Sequence, residues 1–255
     1  MHGALWFVCC RGFGCALLLS GMLAFQPARS ANLQVSPVMV NLPAKQAAEV
    51  VWLSNSGSTT LQAQARIYAW TQENGEDVLQ PTNDMVASPP MLAIKPGERQ
   101  VVRLIRVGNG KAPPAIERTY RVVMDELPLA ASGKGVQFVL RYSVPIFVSP
   151  KDQLAESETA QRLAPPIQWT VQRKDGGIVL VAANQGDTHA KVTEVIFSAK
   201  GGKKITLSDG LYGYVLARST RHWPLTEHAR QFSAGGTLQA LVNEQPISIP
   251  IGPVP

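Results

Sequence analysis

From Leu33 to Pro150 apolar residues recur in short runs with a period of two, broken by turn residues, and no stretch keeps a helical period. Successive side chains of a strand point to opposite faces, so each run has one face to bury and needs a second layer to cover it. This pattern predicts an all-β sandwich. LQVSPVMVNL opens the series, AAEVVWLSNSG stops at an Asn-Ser-Gly turn, and LQAQARIYAW alternates small or aliphatic residues with Gln, Gln and Arg. MLAIKPGERQVVRLIRVG holds two strands around the turn Lys95-Pro96-Gly97-Glu98. TYRVVMDELP and GVQFVLRYSVPIFV complete a set of seven, enough for an immunoglobulin-like sandwich.

The last of these runs carries the clearest pattern. Val136, Phe138, Leu140, Tyr142 and Val144 form one ridge, and Gln137, Val139, Arg141, Ser143 and Pro145 form a mixed one on the other side. On its own the run reads as a buried sandwich strand.

Residues 149–166 are polar, charged and bounded by prolines, which reads as a linker. Strand-like runs resume at Ile167, with hairpin chemistry at Asp175-Gly176-Gly177, and give a second β-domain of similar kind. The expected division is 31–150 for the first domain, 151–166 for the linker and 167–255 for the second. No internal repeat is evident.

Residues 1–30 carry Arg11, an apolar run from Phe13 to Phe25 and small residues at Ala28 and Ser30, the pattern of a secretory signal peptide cut before Ala31. No other segment approaches the roughly 18–20 apolar residues of a membrane helix, so membrane insertion is not expected. The three cysteines, Cys9, Cys10 and Cys15, all lie in that leader. An exported form would hold no thiol and no disulfide, and would rest on apolar cores alone. Without Arg11 and Arg29 the 24 basic residues fall to 22 against 18 acidic ones, and these are scattered rather than blocked, which argues against a nucleic-acid partner.

Chemistry-bearing clusters are sparse. His189, His222 and His228 lack metal-ligand spacing, and His222 and His228 read as surface loop residues. No nucleophile-elbow, zinc-protease or phosphate-loop motif occurs, and the neighbours Asp125 and Glu126 point to opposite faces of one strand. The expectation is a binding protein, not an enzyme, with no cofactor. Trp52, Trp70 and Trp169 are expected in the cores, and Trp223 in packing.

Ser88-Pro89-Pro90, IKPGERQVVRL at 94–104, YRVVMDELP at 120–128, FVLRYSVPIFV at 138–148 and LYGYVLARSTRHWPL at 211–225 together resemble the periplasmic pilus chaperones of the chaperone/usher pathway, typified by PapD. The opening LQVSPVMVNL, with DELP and RYSVPIF, looks more like the archaic, spore-coat-U-associated branch. The resemblance spans the chain after the leader and implies two immunoglobulin-like β-sandwich domains in an L or boomerang arrangement, located in the periplasm. It also implies donor-strand complementation, in which the last strand of domain one fills the groove of a pilus subunit whose own sandwich lacks a strand. Val136, Phe138, Leu140 and Tyr142 are the subunit-binding ridge on this view. The partners implied are such subunits and an outer-membrane usher, and self-capping as a homodimer through the exposed ridge is left open.

In the PapD branch an Arg and a Lys in the cleft hold the subunit's terminal carboxylate, and this sequence places Met39 and Pro145 there. Neither can bind an anion. Arg121 and Arg141 are the replacement candidates, with Arg103 third, because the guanidinium fork suits a carboxylate. Asp125 and Glu126 are expected to pair with Arg141 or Arg103 and brace the two domains, leaving Arg121 to the ligand. The rival reading is a secreted β-sandwich adhesin or pilus subunit.

Overall fold

In a computed structural model of the chain, residues 33–108, 112–128, 139–150, 166–174, 176–225 and 229–253 are described. The opening run divides at Pro37, which has no N–H to give to a ladder. Its first half, β1 (Leu33–Ser36), pairs antiparallel with β3 (Ala48–Asn55), whereas β2 (Val40–Leu42) runs parallel to β10 (Arg141–Val148) in the facing sheet. The first sheet is ordered β1-β3-β8-β6, with β6 at Met85–Ser88 and β8 at Arg99–Arg106. The second is ordered β2-β10-β9-β4-β5, with β4 at Leu61–Glu73, β5 at Glu76–Pro81 and β9 at Arg118–Leu127; β7 (Met91–Ile94) pairs with β4. These ten strands are the seven expected runs with the first one split, plus β5 and β6.

Alternation sets the packing. Val51 and Leu53 of β3 and Val102 and Leu104 of β8 face Ala63 and Ala65 of β4, Val122 and Met124 of β9, and Val144 and Ile146 of β10, all buried. Trp52 is a correction to the expected core: with Val51 and Leu53 turned inward, parity sends it outward. It is 37% exposed and lies under the Arg99 guanidinium, 4.5 Å from ring centre.

A second sandwich packs β11 (Ile167–Lys174), β12 (Gly177–Asn184) and β15 (Thr220–Pro224) against the sheet β14-β13-β16-β17. In that sheet β13 is Ala190–Ala199, β14 is Lys204–Val215, β16 is Gly236–Val242 and β17 is Gln245–Ile251. The expected hairpin joins Lys174 to Gly177. Trp169 and Trp223 stack inside this core at 6.1 Å, so both fall where expected. A five-residue helical turn, Ala229–Ser233, which the strand pattern did not predict, inserts Phe232 against Phe197 at 3.7 Å.

The sandwiches share a corner that reads as no repeat in the sequence. Asn55 Nδ2 donates to the carbonyls of Thr59 and Ile94, and its Oδ1 accepts from Gly57 N. Asn184 Nδ2 donates to Thr188 and Val215, and its Oδ1 accepts from Gly186 N. Each is an Asx turn that also ties a strand end to a distant strand. Residues 31–255 form one compact unit, and a third apolar cluster of Trp70, Phe147, Tyr214 and Leu216 lies between the two cores, with Met39 against it.

Candidate functional site

The site lies on the outer face of the second sheet. Residues of β4, β9 and β10 whose parity opposes the core stand in cross-strand rows: Arg141 beside Asp125 and Gln64, then Pro145 beside Arg121 and Tyr68. The two rows are four residues apart along β10, about 13 Å. Arg121 and Arg141 are therefore separate sites.

In the Arg141 row the cation has a carboxylate partner. Asp125 accepts from Arg141 Nε through Oδ1 and from Arg66 Nη2 through Oδ2 at 2.6 Å. Burial works against ionisation of Asp125, but these two hydrogen bonds outweigh it and hold the carboxyl below its ordinary value. The pairing corrects the expected bracing role of Asp125, since all three residues belong to one sheet. Glu126 accepts from Leu140 N at 3.3 Å and likewise stays within the first sandwich. Arg103 lies on the outer face of the other sheet, exposed, in register with Val50 and Ser88, and cannot join either row.

Arg121 is placed differently. Its guanidinium lies over the Trp70 ring at 3.8 Å, and Nη1 makes long contacts to Ser143 O (3.4 Å) and Ser143 Oγ (3.3 Å). Among the described residues no ion pair joins it to a carboxylate. Burial pulls its pKa down, opposed by the charge of Asp77. Pro145 is buried in direct register with Arg121, and Met39 packs on the Trp70 cluster. The cation therefore stands one strand sideways from Pro145.

Of the expected ridge, Val136 and Phe138 lie outside the described residues. Leu140 and Tyr142 are partly buried against the first core, and Tyr142 Oη donates to Leu33 O at 2.8 Å. Val139, on the opposite ridge, is 50% exposed. β2 pairs only with Ile146, Phe147 and Val148, so among the described residues no strand covers that edge of β10 from Arg141 to Pro145.

Several side chains tie this face to the second sandwich, and the sequence did not single them out. The Gln72 amide donates to Tyr214 O at 2.8 Å and accepts from Leu216 N at 3.0 Å, replacing a strand partner at the end of β14. Glu117 accepts from His189 N at 2.9 Å and from the ring Nδ1, and its own N–H donates to Asp187 O. The His189 ring stacks on Phe147 at 3.5 Å. Asn74 and Gly75, at φ 54° and 86°, form the two-residue tip between β4 and β5, and Gly75 O accepts from His222 N at 2.9 Å and Arg221 Nη1 at 2.5 Å. A Cβ at Gly75 would stand 2.1 Å from His222 Cγ. The Asn-Gly dipeptide between two apolar runs was the available signal for this hairpin. His222 is thus a strand residue wedged at a junction rather than a surface loop residue; burial and the neighbouring Lys174 ammonium lower its pKa. His228 lies outside the described residues.

Among the described residues there is no cluster of three metal-binding side chains and no helix long and apolar enough to cross a membrane. Among the described residues the arrangement offers a strand edge uncovered from Arg141 to Pro145 and, beside Pro145, a cation with no carboxylate partner.

Residues 32–153 match the family described as pili and flagellar-assembly chaperone, PapD N-terminal domain, and this match supports a pilus chaperone of the PapD type. It is similar over 88% of its length, at 25% identity and a TM-score of 0.66, to 99% of a chain in the CsuC–CsuE chaperone–tip adhesion subunit pre-assembly complex from archaic chaperone-usher Csu pili of Acinetobacter baumannii. The E. coli chaperone DraB has the same fold (17% identity, TM-score 0.57, 86% of this chain and 97% of that one). So does a chain of the Salmonella enterica SafA pilin–SafB chaperone complex (15%, 0.58, 86% and 96%). No curated protein matches the chain by sequence.

Proposed function

We propose that this chaperone works in the periplasm, capturing pilus subunits with incomplete immunoglobulin-like folds by supplying a strand, and delivering them to an outer-membrane usher. Residues 31–150 and 167–255 act as its two domains, joined by 151–166. The strand supplied is the run from Val136 through Val144: its edge from Arg141 to Pro145, which β2 leaves uncovered, offers backbone hydrogen bonds, and Val136, Phe138, Leu140 and Tyr142 form the ridge facing the subunit groove, with Leu140 and Tyr142 also packed on the first core. Each ridge side chain buried in this way contributes roughly 1.5–3 kcal/mol.

The observation that carries the reading is Arg121: a half-buried guanidinium lying over the Trp70 ring, without a carboxylate partner among the described residues and in register with Pro145 at the end of the uncovered edge. A subunit's terminal carboxylate supplies the missing charge. Arg141 already has a carboxylate partner in Asp125, which it shares with Arg66. Arg121→Gln is expected to weaken capture of the subunit encoded beside this gene by about 2–3 kcal/mol, some 30- to 150-fold, and Arg141→Gln by less than threefold. Equal losses would refute the assignment of the anchor to Arg121.

A further inference from the structure

We propose that Asp77 is a positioning residue for the carboxylate anchor, locking the ring that carries Arg121 to the clamp that holds the second sandwich. The inference rests on the reading of Arg121 given above. Asp77 is on β5, directly across from Gln72 of β4. Its Oδ1 accepts from two donors, Trp70 Nε1 at 3.1 Å and Gln72 Nε2 at 2.9 Å. Its Oδ2 lies 3.8 Å from Arg221 Nη2 of β15.

The consequences run in both directions from that carboxylate. Toward the anchor, Trp70 is 1% exposed, and an indole N–H so buried needs an acceptor. With Nε1 fixed on Asp77, the ring keeps one face against the Arg121 guanidinium while meeting Tyr214 edge-on at 5.6 Å. Among the described residues Arg121 makes only the long Ser143 contacts besides, so the indole face sets where its remaining donors stand. Toward the second sandwich, Gln72 uses one amide proton on Asp77, the other on Tyr214 O, and its oxygen on Leu216 N–H. That set of partners fixes which end of the amide is which. Among the described residues Asp77 is thus the one side chain hydrogen-bonded both to the ring under the anchor and to the clamp across the junction. Its role needs an acceptor at Oδ1, which an asparagine also provides.

The test uses the full chain and a fluorescently labelled peptide of the last strand of the subunit encoded beside this gene, made as free acid and as carboxamide. The quantity read is the ratio of the two dissociation constants, with near-ultraviolet circular dichroism as the check on folding. Arg121→Gln should bring the wild-type preference for the acid close to one. Asp77→Ala should cut that preference by about tenfold, a shift of one decade in relative affinity, with carboxamide binding little changed. Asp77→Asn should retain it. Trp70→Phe, which keeps an aromatic face but has no N–H for Asp77, should reproduce the loss and carries the test if Asp77→Ala fails to fold. A wild-type preference in both Asp77→Ala and Trp70→Phe, with Arg121→Gln abolishing it, overturns the positioning role alone. A preference that survives Arg121→Gln overturns the anchor reading and this inference with it.

Discussion

Gly75→Ala tests the junction between the sandwiches at its most constrained point. Gly75 has φ 86°, so any side chain there is strained by about 1–2 kcal/mol. The new Cβ would also lie 2.1 to 2.7 Å from three atoms of the His222 ring, so the ring must swing away or the hairpin tip must leave β15. Peeling the tip off loses the His222 N–H bond to Gly75 O, about 1 kcal/mol, and the charged Arg221 bond to the same oxygen, about 1.5–3 kcal/mol. The expected cost is about 3.5–6 kcal/mol. Gly97→Ala is the matched control, since Gly97 has φ 72° but nothing within 4 Å of a built Cβ, and it should cost only the strain, about 1–2 kcal/mol. By scanning calorimetry the difference, about 2.5–4 kcal/mol, amounts to about 5–16 °C in Tm for a chain of this size. Equal shifts for the two variants would show that the hairpin contact adds nothing to stability and would refute the steric argument.

Other consequences follow from buried polar groups. Asn184→Ala removes three hydrogen bonds at a buried corner and should destabilise the chain by about 2–4 kcal/mol in denaturant unfolding, with Asn55→Ala costing a similar amount; a loss under 1 kcal/mol at both would contradict the shared-corner account. Because Asp125 has a folded pKa below its unfolded one, its contribution is fully present above the ordinary carboxylate range and is lost as pH falls through the folded value. Wild type should therefore lose more Tm between pH 5 and pH 3 than Asp125→Asn (about these limits), and parallel pH profiles would count against it. His222 also has a lowered pKa, but as a base: at low pH the unfolded chain takes up the proton more readily, so stability falls as pH drops below about 6.5. That fall should be smaller in His222→Gln, and an unchanged fall would remove His222 as its source.

Most of the fold was legible because it depends on alternation that each run carries within itself. Leu61, Ala63 and Ala65 go inward and Lys95–Glu98 turns, as their order dictates. Trp52 was misread because its residue type suggested burial, although its neighbours Val51 and Leu53 already fixed the parity against it. The split of the opening strand at Pro37 needs knowledge of which sheet each half joins, which no local pattern holds. The site was legible only in part for the same reason. Arg121 and Arg141 lie on the same face by parity, but what separates them is Asp125 and Arg66 at one and Trp70 at the other, residues brought together by register across β4, β9 and β10. Gln72, Asp77 and Glu117 act on partners in the second sandwich or across a hairpin, and nothing beside them in the chain marks that role.

The most direct test of strand donation is a parity experiment on the run ending in β10. The tagged chaperone would be purified from periplasm together with the subunit encoded beside its gene, as wild type, Phe138→Asp and Val139→Asp. Loss of the subunit with Phe138→Asp but not with Val139→Asp, both variants folded, is the predicted result, since only the even-numbered ridge enters the subunit groove. Retention by Phe138→Asp, or equal loss by both, would contradict capture through that ridge.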